Sequence, residues 1–473
     1  MRKLSRGAYE DTKGFVRFVE AMLEILVLTL LYYVVWRNGY PAGLFPEYFH
    51  KGKYVLMGLY GILVMIFFWN SDCTKFGQLR KMDLAIGQVI ALFLVNFVTY
   101  FQLSLIANRM ISVVPVLMLT AVEVVAAVVL ITLYDGLYYK LYTPHNMLLI
   151  YGSKSAVGLK FKMDSRKEKY QVAKIMSVDA GYEQICKEIP KYESVILNDV
   201  PAQIRNDILK YCYLHRVRTY VAPKLTDIML RGGENNTLFD TPLLLVKGTG
   251  LTPVQRITKR AMDILLSLIA LIVASPIMAA VAIAIKLEDG GPVFYKQKRV
   301  TRNGCEFDIL KFRSMIVDAE KDGRARPATD RDPRITRVGN VIRAIRVDEL
   351  PQILNILKGD MSIVGPRPER IEHVEEYCKD MPEFKFRLKV RGGLTGYAQI
   401  YGKYNTSPYD KLRLDLMYIE NYSLLMDIKL ILMTVRILFK KESTEGFDKQ
   451  EELTRLEEEI LNAEAGKEDA EKI

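Results

Sequence analysis

Two adjacent carboxylates, Asp348 and Glu349, open the stretch 346–369, RVDELPQILNILKGDMSIVGPRPE. Leu350, Ile353, Leu354 and Leu357 recur there at i, i+3, i+4 and i+7, which predicts one face of a short amphipathic helix. Lys358-Gly359 reads as its C-terminal stop, and Pro351 is tolerated in a first turn whose amides lack intrahelical partners. A helix N-terminus stabilises negative charge, so the paired acids sit in a favourable field. Asp348 taken alone is an N-cap. The turn Pro366-Arg367-Pro368 changes that reading, because two prolines hold a planar five-donor guanidinium of the kind that grips phosphate, although such an arginine also serves to brace a loop. Lys311 and Arg313 alternate with Leu310 and Phe312, as on a strand with one buried and one charged face, and are expected to meet substrate phosphates, the alternative being a solvated strand edge. Arg343, five residues before the acids, is a weaker candidate of the same kind. Two charged carboxylates approach a phosphate only with a metal or arginines between them, and this part of the chain offers arginine and lysine for that.

The elements that position these groups are unevenly distributed over the 473 residues, enough for two or three folded units. Four apolar segments, at about 17–36, 54–69, 86–107 and 111–134, suit a transmembrane helical domain over 1–140, the second being marginal in length. Basic residues before the first segment, between the second and third and after the fourth place both ends of this domain in the cytoplasm. No small-residue cleavage signal follows the first run, which reads as a retained anchor. Over 141–252, apolar runs at 147–151, 171–176, 194–197 and 217–221 alternate with polar helical stretches and predict a parallel sheet. Gly152 and Gly158 follow the first run, but their spacing is not that of a dinucleotide fingerprint, and the Tyr170/Lys174 pair lies in an expected strand. Residues 257–287 are apolar between basic flanks, and Ser275-Pro276 predicts a sharp bend in their middle. The stretch 424–440 carries Lys429, Arg436 and Lys440 on one face and Leu425, Ile428, Leu432 and Val435 on another, which suits either a membrane-surface helix or a packed core helix.

Charge narrows the partners. The tail 442–473 holds twelve acids and four bases, so the remainder of a chain of net charge +11 carries +19. Such a basic body suits anionic headgroups and pyrophosphates, and without an accompanying RNA- or DNA-binding motif nucleic acid is not expected. The tail is assigned no chemistry. Five scattered cysteines and four scattered histidines argue against a disulfide framework, a zinc site or a His-ligated metal. A metal here would be held by carboxylates and phosphates, which points to Mg2+ or Mn2+ on Asp348 and Glu349.

The 346–369 block resembles the core of the bacterial sugar transferases, membrane-associated polyprenyl-phosphate glycosyl-1-phosphate transferases of the monotopic superfamily. Three further stretches match in the same order: 292–315, PVFYKQKRVTRNGCEFDILKFRSM; 387–403, RLKVRGGLTGYAQIYGK; and 414–432, LDLMYIENYSLLMDIKLIL. The likeness runs from about Arg256 to Phe439. It departs at Arg391-Gly392-Gly393, where the family usually has Pro before the second Gly, at Tyr397, where Trp is common, and at Arg346, where many members carry Ser or Thr.

The resemblance implies an α/β membrane protein of the long form: a four-helix transmembrane bundle, a Rossmann-like middle domain, and a catalytic domain at 253–441 with a re-entrant helix and interfacial amphipathic helices. It implies that Asp348 attacks the β-phosphate of a UDP-sugar, expels UMP and passes hexose 1-phosphate to undecaprenyl phosphate, with Glu349 holding the metal or assisting the acceptor. Lys311, Arg313, Arg343 and Pro366-Arg367-Pro368 would bind substrate. Such a step opens exopolysaccharide or capsule assembly on the cytoplasmic face of the bacterial inner membrane. Gly392–Gly396 is expected to be a flexible turn able to approach a ligand, and Asp415 and Asp427 to be structural partners of basic groups. The large extra units suit a homodimer. A non-catalytic scaffold of an assembly machine is the competing reading, and a nucleotide-sugar dehydratase lacks its glycine fingerprint.

Overall fold

The computed structural model describes residues 6–41, 51–142, 144–152, 156–164, 166, 169–317, 319, 332–402 and 406–438, so the acidic tail and Lys440 lie outside it. The described chain divides into two compact units, with the boundary after Pro223.

In the first unit, α1 (Arg6–Gly39), α2 (Gly52–Asn70), α3 (Lys81–Ile106) and α4 (Val114–Leu141) each contain a stretch long and apolar enough to cross a membrane, the second segment included. Leu28, Tyr32, Tyr60, Val64, Phe68, Leu92 and Val95 form their shared core, while Leu26, Leu30, Ile66, Phe97 and Leu133 face outward. Helices that are apolar on all sides belong in lipid, where polar contacts help to fix which faces meet. Tyr60 Oη donates to Glu123 Oε1 (2.5 Å) and Asn96 Nδ2 to Glu123 Oε2 (2.7 Å), which joins α2, α3 and α4.

After them come β1 (His145–Tyr151), α5 (Ala156–Asp164), β2 (Tyr170–Ser177), α6 (Tyr182–Glu188), β3 (Ser194–Asn198), α7 (Ala202–Leu214) and β4 (Arg218–Val221). The sheet is wholly parallel, in the order β2-β1-β3-β4. Leu148 and Ile150 enter one core and Met147 and Leu149 another, so β1 is buried on both faces and its sequence is continuously apolar. Gly152 follows β1 because a Cβ there would lie 2.4 Å from Asp199 O.

The second unit begins with α8 (Leu225–Arg231), β5 (Glu234–Leu238) and β6 (Thr241–Leu245). Packing groups 224–252 with this unit, in contrast to the 252 boundary read from the sequence. Ile228 of α8 shares a core with Phe384, Leu412 and Leu416, and Gly232 presses on Glu420 so closely that a Cβ would come within 2.6 Å.

Helix α9 (Pro253–Asp289) starts at a capping box, in which Thr252 Oγ1 accepts from Gln255 N and Gln255 Oε1 accepts from Thr252 N, and ends at Gly290 in a left-handed conformation (φ 70°). It is helical throughout, Ser275-Pro276 included, where the sequence predicts a sharp bend. Pro276 leaves the Ile272 carbonyl without its amide partner, and Ser275 Oγ donates to that carbonyl instead (2.9 Å), which offsets the loss. Both ends of α9 dock on the same unit. Near its start Lys259 Nζ lies 2.7 Å from Asp427 Oδ2, and Asp263 accepts from Ser362 Oγ (2.7 Å) and Ile363 N (3.1 Å). Near its end Ile285 packs with Phe312 and Ile342, and Glu288 Oε1 accepts from Arg337 N (2.8 Å).

The antiparallel pair β7 (Phe294–Val300) and β8 (Glu306–Phe312) is followed by α10 (Arg337–Ala344), α11 (Gln352–Lys358), β9 (Ser362–Val364), α12 (Ile371–Asp380), β10 (Gly393–Thr395), α13 (Tyr397–Tyr401), α14 (Pro408–Glu420) and α15 (Leu424–Leu438). Strands β9 and β10 pair in parallel. The glycines of 392–396 serve this pairing: a Cβ on Gly393 would lie 2.1 Å from Gly365 N, and one on Gly396 2.1 Å from Gly365 O. The segment is therefore strand and close backbone packing, where a flexible ligand-facing turn was expected.

Candidate active site

The acids lie one turn before the helix that the sequence predicts. Arg346 ends α10 in the left-handed region (φ 58°, ψ 19°), an uncommon conformation for a side-chain-bearing residue, and turns the chain into the 3-10 turn Val347–Glu349. Helix α11 follows and stops at Gly359 (φ 101°), as its sequence requires. Its buried side is Gln352, Ile353, Asn355 and Ile356, and Leu354 is exposed, so hydrophobic spacing misassigned the face. Asn355 explains why: Leu310 N donates to its Oδ1 (2.9 Å) and its Nδ2 donates to Asp308 O (2.8 Å). That amide fastens α11 to β8 and fixes the acids relative to Lys311.

Lys311 Nζ lies 2.8 Å from Glu349 Oε1, and Arg367 Nη2 reaches the same oxygen at 3.4 Å. Burial opposes ionisation of Glu349, but Lys311 and Arg367 outweigh it and carry the carboxyl down to about 2. Asp348 accepts no hydrogen bond from the described residues. Burial raises its pKa, Lys311 works against that, the neighbouring Glu349 adds to it, and Arg343 and Arg346 lower it. One carboxylate is thus held ionised by cations, and the other is half-hidden with its oxygens uncommitted.

Arg313 is placed differently from Lys311. It follows the end of β8, is buried, and pairs with Asp289 at the C-terminus of α9. Its partner there is protein, and it holds the end of α9 to the sheet where a phosphate contact was expected. Arg343 acts on Asp348 through its charge.

The Pro366-Arg367-Pro368 turn is braced from both sides. Arg387 Nη2 donates to Arg367 O (3.0 Å) and Arg299 Nη1 to Pro368 O (3.2 Å). Arg387 is itself buried against Asp415 (Nη2 to Oδ2, 2.8 Å), and Glu369 lies 3.7 Å from Arg387 and 3.6 Å from Lys411. Burial pushes Asp415 up to about 6 in spite of Arg387. Asp415 and Asp427 are structural partners of Arg387 and Lys259, as read from the sequence. Arg299, Arg387, Glu369 and Asn355 were not identified from the sequence. All four lie in the matching blocks, 292–315, 346–369 and 387–403, at polar positions with no periodic signal, Glu369 closing its block directly after the Pro-Arg-Pro turn.

A magnesium-type ion takes oxygen ligands and is commonly held by one or two carboxylates, waters and substrate phosphates. Asp348 and Glu349 Oε2 offer acceptor oxygens to which no described residue donates. Among the described residues no three metal-ligating side chains converge, so the donor set fits an ion shared with substrate and does not fit a closed protein cage.

The family model of the bacterial sugar transferases matches residues 254–441. The chain is 38% identical over 261 residues to the UDP-N-acetylgalactosamine-undecaprenyl-phosphate N-acetylgalactosaminephosphotransferase of Aeromonas hydrophila, covering 53% of this chain and 60% of that protein. It is 42% identical over 203 residues to the UDP-glucose:undecaprenyl-phosphate glucose-1-phosphate transferase of Escherichia coli, covering 42% of each. Less than two thirds of either relative is therefore spanned. The exopolysaccharide production protein ExoY of Sinorhizobium fredii is 37% identical over 210 residues, which are 41% of this chain and 92% of that protein. A relative matched over nearly its whole length, together with the family model over residues 254–441, places the chain in the bacterial sugar transferase family.

Proposed function

We propose that the protein transfers a hexose 1-phosphate from a UDP-hexose to undecaprenyl phosphate and releases UMP, the opening step of exopolysaccharide or capsule assembly. The observation that carries this reading is the asymmetric pair: Glu349 gripped by Lys311 and Arg367, beside an Asp348 that makes no hydrogen bond with the described residues. An Asp348 oxygen attacks the β-phosphorus, the bond from that phosphorus to the bridging oxygen breaks, and UMP leaves with the electron pair. Lys311 and Arg367 neutralise charge on the diphosphate as it passes to the leaving group. An oxygen of undecaprenyl phosphate then attacks the aspartyl phosphate, restoring the carboxylate and yielding the lipid diphosphate sugar. A bound Mg2+ or Mn2+, held by Asp348 and Glu349, would supply further positive charge to the phosphoryl oxygens.

Membrane geometry supports the same reading. As a straight rod α9 would separate Arg260 from Ile285 by about 37 Å. Yet Arg260 donates to the Ile356 and Leu357 carbonyls at one end of α11, and Ile285 belongs to the cluster that contains Leu350 at the other end, about 10 Å away along a seven-residue helix. This favours a re-entrant α9 that dips into one leaflet and returns. Helix α15 buries Asp427 and Arg436 and exposes Leu424, Leu425, Ile428 and Val435, the inverse of a water-facing helix. Val341, Ile345 and Leu354, which flank the acids, are also exposed. Together these apolar groups support a catalytic unit seated on the cytoplasmic face of the inner membrane, and the parallel β2-β1-β3-β4 sheet supports a Rossmann-like middle domain.

The test is release of UMP from UDP-glucose or UDP-N-acetylgalactosamine, dependent on added undecaprenyl phosphate and magnesium. Asp348→Asn is expected to lower turnover by about a thousandfold or more. Unchanged turnover in that variant would rule out the covalent route, and no UMP release from any UDP-sugar by the wild type would rule out the reaction.

A further inference from the structure

Arg299, near the end of β7, is mostly buried, and its contacts do not account for its charge. Nη1 donates to Pro368 O (3.2 Å) and Nη2 to Gln297 Oε1 (2.6 Å), while the Nε–H is buried without an acceptor. A neutral donor would brace the Pro368 carbonyl equally well. Instead a guanidinium is placed in the company of Arg367 and Arg370, and burial together with Arg367 pushes it down to about 10, still protonated at neutral pH. The carboxylate within reach is Glu369, on which Arg387, Lys411, Arg367 and Arg299 all act. Arg387 also has Asp415 and Arg367 also has Glu349, but among the described residues Arg299 has no carboxylate of its own. Like charges gathered in a partly dry site are costly unless an anion joins them.

We propose that Arg299 is a substrate-binding residue that forms, with Arg367, a two-guanidinium grip for the α-phosphate of the nucleotide, the phosphate that departs as UMP. This rests on the transferase reading and deepens it. Lys311 and Arg367 meet at Glu349, next to the acid that attacks the β-phosphorus, and Arg299 donates to the carbonyl of Pro368, the residue after Arg367. In this proposal the transferred phosphate sits at Asp348 and the leaving phosphate takes the two guanidiniums, Arg367 and Arg299, whose charges act on each other. Two planar forks suit the three oxygens that a departing phosphate monoester presents.

The experiment is product inhibition of the full-length protein in lipid nanodiscs, with UMP and uridine as inhibitors, for wild type, Arg299→Gln and Arg299→Lys. Arg299→Gln is expected to raise the inhibition constant for UMP by about tenfold or more, in line with losing a charged hydrogen-bond pair. The constant for uridine and the KM for undecaprenyl phosphate should stay within about twofold, since neither contact involves the α-phosphate. Arg299→Lys keeps a charge and a donor for Pro368 O but loses the fork, so it should show a smaller loss with the same preference for UMP, and it carries the test if the glutamine variant does not fold. Equal weakening of UMP and uridine would mean that Arg299 only braces the turn, and unchanged UMP inhibition would overturn the proposal outright. A wild type that UMP does not inhibit and that releases no UMP would instead defeat the transferase reading itself.

Discussion

Lys311 sets the ionisation of both acids, so its removal should be readable in a pH profile. In the proposed mechanism Asp348 must be ionised to attack, and burial has already raised its pKa, with Lys311 the largest opposing influence. Lys311→Met should therefore move the acid limb of single-turnover UMP release to higher pH, as well as slowing the step. A limb that stayed in place or moved to lower pH would show that Lys311 does not face Asp348 electrostatically. Glu349 has the opposite sign. Its folded pKa of about 2 is below its ordinary 4.5, so the stability it contributes is fully present above 4.5 and is lost as pH falls toward 2. Chemical denaturation of wild type and Glu349→Gln should give stabilities that differ near neutral pH and converge across that window. At this scale the sequence exposed the residues whose identity is the signal, an acid pair and an arginine between prolines. It did not expose Arg299, Arg387 or Asn355, because a buried polar group does its work through a partner far along the chain, and no local pattern records that partner.

The elements that hold the site depend on buried charge and on one proline. Arg387→Met would leave Asp415 without its partner, Glu369 with Lys411 in place of two cations, and the Arg367 carbonyl without its donor. Breaking such a buried pair typically costs about 3–5 kcal/mol, so thermal denaturation should show a large loss, whereas a change near zero would mean that solvent reaches the pair. Helix α9 carries the second prediction. Single cysteines at the exposed positions Val254 and Leu287, in a background without the five native cysteines, should both react with a membrane-impermeant maleimide from the cytoplasmic side. Labelling from opposite sides would mean that α9 spans the membrane. The long apolar helices and the alternation of strands and helices were legible because periodicity is a local property. The exposed apolar face of α15 was not, since membrane-surface and core helices share one pattern and differ only in what covers them.

Across the whole molecule, the boundary after Pro223 has a direct consequence. Leu225, Ile228 and Met229 pack into the core that contains Leu412 and Leu416, so α8 belongs structurally to the second unit. A chain that begins at Lys224 should be more stable than one that begins at Thr252 by about 3–6 kcal/mol, the worth of burying Ile228 fully and Leu225 and Met229 in part. Equal midpoints in urea would show that α8 only rests on that core. The amino-acid order alone determined that the N-terminal third is apolar enough for lipid, that a parallel sheet follows, and that an acid pair and a Pro-Arg-Pro turn stand within twenty residues of each other, because hydropathy, period and residue type are all local. Tertiary structure alone decided that Arg313 serves Asp289, that Lys311 and Arg367 meet on one oxygen of Glu349, and that Arg299 stands beside Arg367 without a carboxylate of its own. Those facts depend on distances between side chains tens of residues apart, which are fixed only when the cores around them close.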